Sequence, residues 1–144
     1  MFFPEFLYQL SARDQRVTWL DPLITDLTTL ASSLQIDVPV IVPEGRCLVL
    51  KNAVTEADPG AAQIVNVIAL GLVTPSLSNF IELQINRTPF AADTTAILSW
   101  QGEVVVPPLW QITARGVFNA VVAANRVRLD IVGILIPVGN IQRV

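Results

Sequence analysis

The chain contains no histidine and a single cysteine, Cys47, in 144 residues. Without histidine there is no Ser-His or Cys-His nucleophile pair and no histidine-ligated metal site. Neither a GxSxG nor an SxxK pattern occurs, and Gly45, Gly102 and Gly139 sit where strands should begin or end, not in a phosphate-binding loop. A lone cysteine forms no internal disulfide, so cysteine usage points to no compartment. Charge is also scarce: charged residues make up 15% of the chain, against a usual share of roughly 25%. Nine scattered bases and a net charge of -3 lack the clustered basic face that displaces phosphate counterions, which excludes direct nucleic-acid binding. Long apolar runs are missing too. Residues 61–73 and 127–138 are shorter than the roughly 20 residues of a spanning helix and are broken by Gln63, Asn66 or Asp130. The opening MFFPEFLYQL has no basic region ahead of its apolar stretch and does not read as a signal peptide. The expectation is a chain that is not an enzyme, carries no cofactor or metal and does not enter a membrane.

What the chain does have is apolar residues. They form 52% of the sequence, with a mean hydropathy of +0.56, an excess that asks for cover beyond the chain's own fold, such as neighbouring subunits. The length suits one domain. Its texture changes near residue 36. In residues 21–34, Asp21 is placed to cap and Pro22 to open a helix, and Leu23, Leu27, Leu30 and Leu34 recur at spacings of four, three and four. The spacing predicts a helix with a leucine stripe, while Thr25, Thr28 and Thr29 keep an extended arm as the alternative. Ahead of it, Phe3, Phe6, Leu7 and Leu10 suit a shorter amphipathic segment. Residues 1–35 are therefore expected to be an arm for attachment or self-association, with Phe3, Phe6 and the four leucines as contacts.

Residues 36–144 carry short β-branched runs separated by turn residues, the pattern of an antiparallel β-sandwich of jelly-roll type with about eight strands. Candidate strands cover 36–42, 46–54, 63–73, 79–87, 95–100, 102–106, 110–118 and 125–138. In the last of these, Val127, Leu129 and Ile131 oppose Arg126, Arg128 and Asp130; from Ile131 to Val138 both faces are apolar, so the second face needs cover. Two stretches resemble each other: VPEGRCLVLKNAV (42–54) and VPPLWQITARGVF (106–118). Proline starts a strand because it has no N–H to give the ladder, so the pair reads as two equivalent strand entries. The second is the more apolar, with Leu109 and Trp110 in place of Gly45 and Arg46, and a subunit contact is expected there. Trp19, Trp100 and Trp110 would stack on sugars if exposed.

The Val-Pro-x-Gly-Arg entry (42–46), the Val-Pro-Pro-x-Trp entry (106–110) and the closing VRLDIVGILIPVGN (127–140) resemble the small single-sandwich virion proteins of tailed bacteriophages, such as head decoration proteins, capsid fibres and tail or neck modules. The likeness covers roughly residues 40–140; Leu109 departs from it, standing where that group has glycine. The resemblance implies a non-enzymatic component of the virion that forms a homo-oligomer, commonly a trimer, and contacts a major capsid or tail protein. A host glycan or receptor is the alternative partner.

Overall fold

The computed structural model describes residues 21–30, 34–76, 79–122 and 124–138. Every element among them is a strand: β1 (Asp21–Leu30), β2 (Gln35–Ile41), β3 (Arg46–Asp58), β4 (Val65–Val73), β5 (Phe80–Asn86), β6 (Ala96–Val106), β7 (Gln111–Phe118) and β8 (Arg126–Pro137). They form two four-stranded sheets, a first with the order β1-β8-β3-β6 and a second with the order β2-β7-β4-β5. All neighbours run antiparallel. This is the strand order of a jelly roll.

The order has a simple generator. β1 pairs with β8, β2 with β7, β3 with β6 and β4 with β5, so the chain is one long hairpin whose two arms zip together. Rolling that hairpin brings β3 beside β8 and β4 beside β7 and leaves two stacked sheets. Wherever one arm bends from sheet to sheet, the other must bend beside it. Each corner is therefore built twice, from segments far apart in sequence.

The expected elements differ from the structure in two places. Residues 21–30 adopt the extended alternative instead of a helix: β1 pairs along its whole length with β8, from Asp21 opposite Leu135 to Leu30 opposite Arg126. The β-branched Ile24, Thr25, Thr28 and Thr29 favour that state, and a ladder supplies partners that a short isolated helix lacks. Residues 95–100 and 102–106 form the single strand β6, and the Gln101-Gly102 pair lies inside it beside a register shift opposite Leu50/Asn52.

The core lies between the sheets, filled by alternate residues. Leu48 and Leu50 of β3, Ile68 and Leu70 of β4, Ile112 of β7, and Leu129 and Ile131 of β8 belong to it, each stabilising the fold by roughly 1.5–3 kcal/mol through removal from water. Thr55 also points inward and is fully buried, and its hydroxyl has no hydrogen-bond partner among the described residues. Leaving such a group unpaired costs about 1–3 kcal/mol. Thr55→Val keeps the shape and removes the polar atom, so its urea midpoint is expected to rise by the equivalent of about 1 kcal/mol. An unchanged or lower midpoint would show that the hydroxyl is satisfied in solution.

At one end of the roll the corners are tied by hydrogen bonds. Buried Asn125 accepts the Gly60 N–H at Oδ1 (2.8 Å) and donates from Nδ2 to the Ala120 carbonyl (3.0 Å). The Asp93 N–H donates to Gln63 (2.9 Å), and the Asp93 carboxylate accepts the Ala62 N–H. Asp58 joins this end, accepting from Thr95 Oγ1 (2.6 Å) and pairing with Arg126. The opposite end carries the exposed Ile41 and Leu109.

Candidate functional site: the Val-Pro corner

The two Val-Pro stretches meet at that opposite end. The first turns from β2 into β3 and the second from β6 into β7, and each crosses between the sheets, so they are inter-sheet corners and not hairpins within one sheet. The Arg46 N–H donates to the Pro43 carbonyl and the Trp110 N–H to the Pro107 carbonyl, both at 3.3 Å. Gly45 has φ 77° and Leu109 has φ 68°, the positive value that the third residue of a type II turn requires. The turns are bonded to each other: Leu109 N–H donates to the Val42 carbonyl and Val42 N–H to the Trp110 carbonyl, each at 2.9 Å. The repetition in the sequence follows from the long hairpin bending once, with both arms bending side by side. Ala62 (φ 63°) and Asp93 (φ 59°) form the matching pair at the other end.

Glycine adopts a positive φ freely, whereas an L-residue pays about 1–2 kcal/mol. The side chain obtained at that cost is left in solvent: Leu109 is 48% exposed, and Ile41, at the end of β2 beside it, is 57% exposed. Trp110 lies half-buried against the core, so the corner rests on a rigid aromatic base.

The remaining expected contacts are spread out. Phe3 and Phe6 lie outside the described residues. Leu23 packs against the core from β1, Leu27 lies further along that strand and is exposed, and Leu30 closes the strand. Leu34 is exposed at the opposite end from Leu109, its carbonyl accepting the Phe118 N–H (2.7 Å). The four leucines form no single stripe, because a strand repeats every two residues. Trp100 and Trp110 both pack against the core, and Trp19 lies outside the described residues.

The outer face of the second sheet carries a group that the sequence did not single out. Arg115 donates from Nε and Nη2 to the two oxygens of Asp37 (2.9 and 3.0 Å) on the neighbouring strand, and its guanidinium lies 4.1 Å from the centre of the Phe80 ring. That ring occupies the space above Gly71, where an added Cβ would come within 2.5 Å of it and 2.8 Å of the Ile81 carbonyl. The ring can move aside but the carbonyl cannot, so Gly71→Ala is expected to lower the melting midpoint by the equivalent of about 1–3 kcal/mol. A midpoint equal to that of the parent chain would show the ring is not held there. Among the described residues no three His, Cys, Asp or Glu side chains gather where a metal could bind.

Among the described residues, the outer edges of both sheets, β1 and β6 of the first and β2 and β5 of the second, are all interrupted. β1 and β2 contain Pro22 and Pro39, β5 has a register shift opposite Leu70/Gly71, and the shift in β6 leaves Gly102 and Glu103 outside the ladder. Edges broken in this way resist strand addition. A partner is left with faces and corners.

No protein-family model matches the sequence, and no curated protein does. Among solved structures, the chain is similar to PirA (14% identity over 76% of this chain and 92% of that one, TM-score 0.41). It is similar also to the Drosophila NLP core, described for its pentamer formation and histone binding (16% identity, 78% and 97% coverage, TM-score 0.36). A third is a pentameric capsid protein from metagenomic phage sequences (16% identity, 90% and 73% coverage, TM-score 0.34). Likenesses this distant carry no functional argument, and the fold assignment rests on the chain's own strand order.

Proposed function

We propose that this chain is a non-enzymatic structural subunit of a virus particle, a self-associating jelly roll that decorates or cements a capsid or forms part of a tail or fibre. The observation that supports it most is the corner where Leu109 is held in a left-handed conformation with its side chain in solvent. Strain of that kind persists where surrounding structure enforces it, and it gathers at functional sites. The broken edges direct association to such a corner, and the low share of charged residues in the chain suits a protein with much of its area covered by neighbours. Jelly rolls serve in capsids and in lectins, and this step is an analogy of fold. The half-buried placement of Trp100 and Trp110 gives a sugar no free aromatic platform among the described residues. A trimer is the favoured state, with a major capsid or tail protein as the further partner. Light scattering on the full chain is expected to give about three times 15.7 kDa. A monomer at all concentrations would overturn self-association, and glycan-array binding by that monomer would establish the lectin reading instead.

A further inference from the structure

Loops run over the surface of a protein and are usually polar. At the end of the roll opposite the Val-Pro corner they are not. Residues 59–64, 88–94 and 119–125, in the turns between β3 and β4, β5 and β6, and β7 and β8, contain one charged side chain, Asp93. Hydrogen bonds tie the three turns into one unit. On one side of the middle turn, Asp93 N–H donates to the Gln63 carbonyl (2.9 Å) and Phe90 N–H to the Val65 carbonyl (3.0 Å). On its other side, Ile64 N–H donates to Asn119 Oδ1 and Gly60 N–H to Asn125 Oδ1, both at 2.8 Å. The side chains of Asp93, Asn119 and Asn125 are thus engaged between turns, and what is left in solvent is aliphatic: Ala61, Ala62, Ala91, Ala92, Ala124 and Val121, the last 55% exposed. Ala62 holds a φ of 63° where glycine would cost less. As at Leu109, a side chain is kept on strained backbone. The charges that flank these turns in sequence are already paired within the chain, Arg87 with Glu82 and Arg126 with Asp58.

We propose that this end is a second assembly surface and that its occupant is another copy of the same chain, docked end to end about a two-fold axis. Across such an axis a residue meets its own counterpart or a near neighbour of it, so a charge close to the axis faces a like charge. A surface without charge is complementary to itself. Loss of charge is also what marks the buried core of protein interfaces. The three turns hold about twenty residues, the lower end of the 20–30 that each side of a stable interface supplies. Their mutual bonds fix them before contact, so little loop ordering remains to oppose association. A sugar or a nucleic acid would need polar groups, and here those side chains are bonded within the chain. The surface lies at the other end of the roll from Leu109, so it does not require the contact proposed there.

The Ala61→Glu/Val121→Glu double variant places like charges on both sides of the contact at exposed positions. In a dilution series followed by light scattering, the parent chain is expected to reach, at the concentrated end, twice the mass of this variant. The variant should pair only at a concentration about tenfold higher or more. An equimolar mixture with Ala61→Lys/Val121→Lys should restore the doubled mass, because each charge then meets its opposite. A melting midpoint equal to that of the parent at low concentration establishes that the variant is folded; should the double variant melt early, Val121→Glu alone is read in the same way. Equal masses for the parent and the folded Glu variant overturn the proposal and leave this end to a different protein. A mixture that stays undoubled overturns the pairing of like surfaces. The mass of the Glu variant itself separates this surface from the Val-Pro corner. Three copies in the variant and in the parent alike would keep the corner and remove the end surface, whereas one copy beside a two-copy parent would do the reverse.

Discussion

Phe118→Ala is expected to lower the free energy of unfolding by about 3–5 kcal/mol, a large share of the roughly 5–15 kcal/mol that holds a domain together. Phe118 closes β7, opposite Val65 of β4, and its ring is 2% exposed. The surroundings are locked on several sides. A Cβ at Gly116 would come within 3.4 Å of the ring, 3.3 Å of Ala57 and 2.6 Å of Val127, so Gly116 is the space into which side chains of both sheets fit. The backbone beside the ring is held as well, by the Phe118 N–H to Leu34 and by the Asn119 bonds to Ile64 at 3.1 and 2.8 Å. Walls fixed in this way cannot collapse into the space left by the ring, which places the cost toward the upper part of the range. Urea unfolding should show a lower midpoint at an unchanged slope. A loss below about 1 kcal/mol would mean that the sheets close over the vacancy.

The sandwich was legible in the sequence because alternation is a local signal. Val127, Leu129 and Ile131 show it without interruption, and all three are buried. β1 was not, because Leu23, Leu27, Leu30 and Leu34 match a helical period by number, and a ladder with residues more than 95 positions away leaves no local trace. Register shifts mislead for a similar reason: in NFIELQIN strict alternation sets Leu83 with Ile81 and Ile85, but the shift opposite Leu70/Gly71 breaks the parity. Leu83 packs against the core while Ile81 stays exposed. The Asp37–Arg115–Phe80 group spans three strands of the second sheet and depends on pairing that only the fold supplies. The Val-Pro corner was the most legible part, since both of its halves are written in the chain. What the sequence could not say is that the halves touch.

Leu109→Gly is expected to separate folding from association. In the turn, glycine relieves the left-handed conformation, worth about 1–2 kcal/mol, and loses about 0.5–1 kcal/mol through the freer unfolded chain. The melting midpoint should therefore stay level or rise slightly. If Leu109 is an anchor in a subunit contact, removing its side chain weakens that contact by about 1–3 kcal/mol, and a dilution series followed by light scattering should show dissociation at a concentration about 5- to 150-fold higher. The mirrored turn supplies the control. Around Gly45 an added Cβ meets nothing within 4 Å, so Gly45→Ala costs only the conformation, about 1–2 kcal/mol of stability, and should leave association as it was. Opposite responses at two turns with one backbone geometry would assign the function to the leucine itself. A Leu109→Gly chain that is more stable and associates as before would remove the corner from the assembly surface, and Val132 and Ile97 on the open end of the first sheet would be the next residues to change.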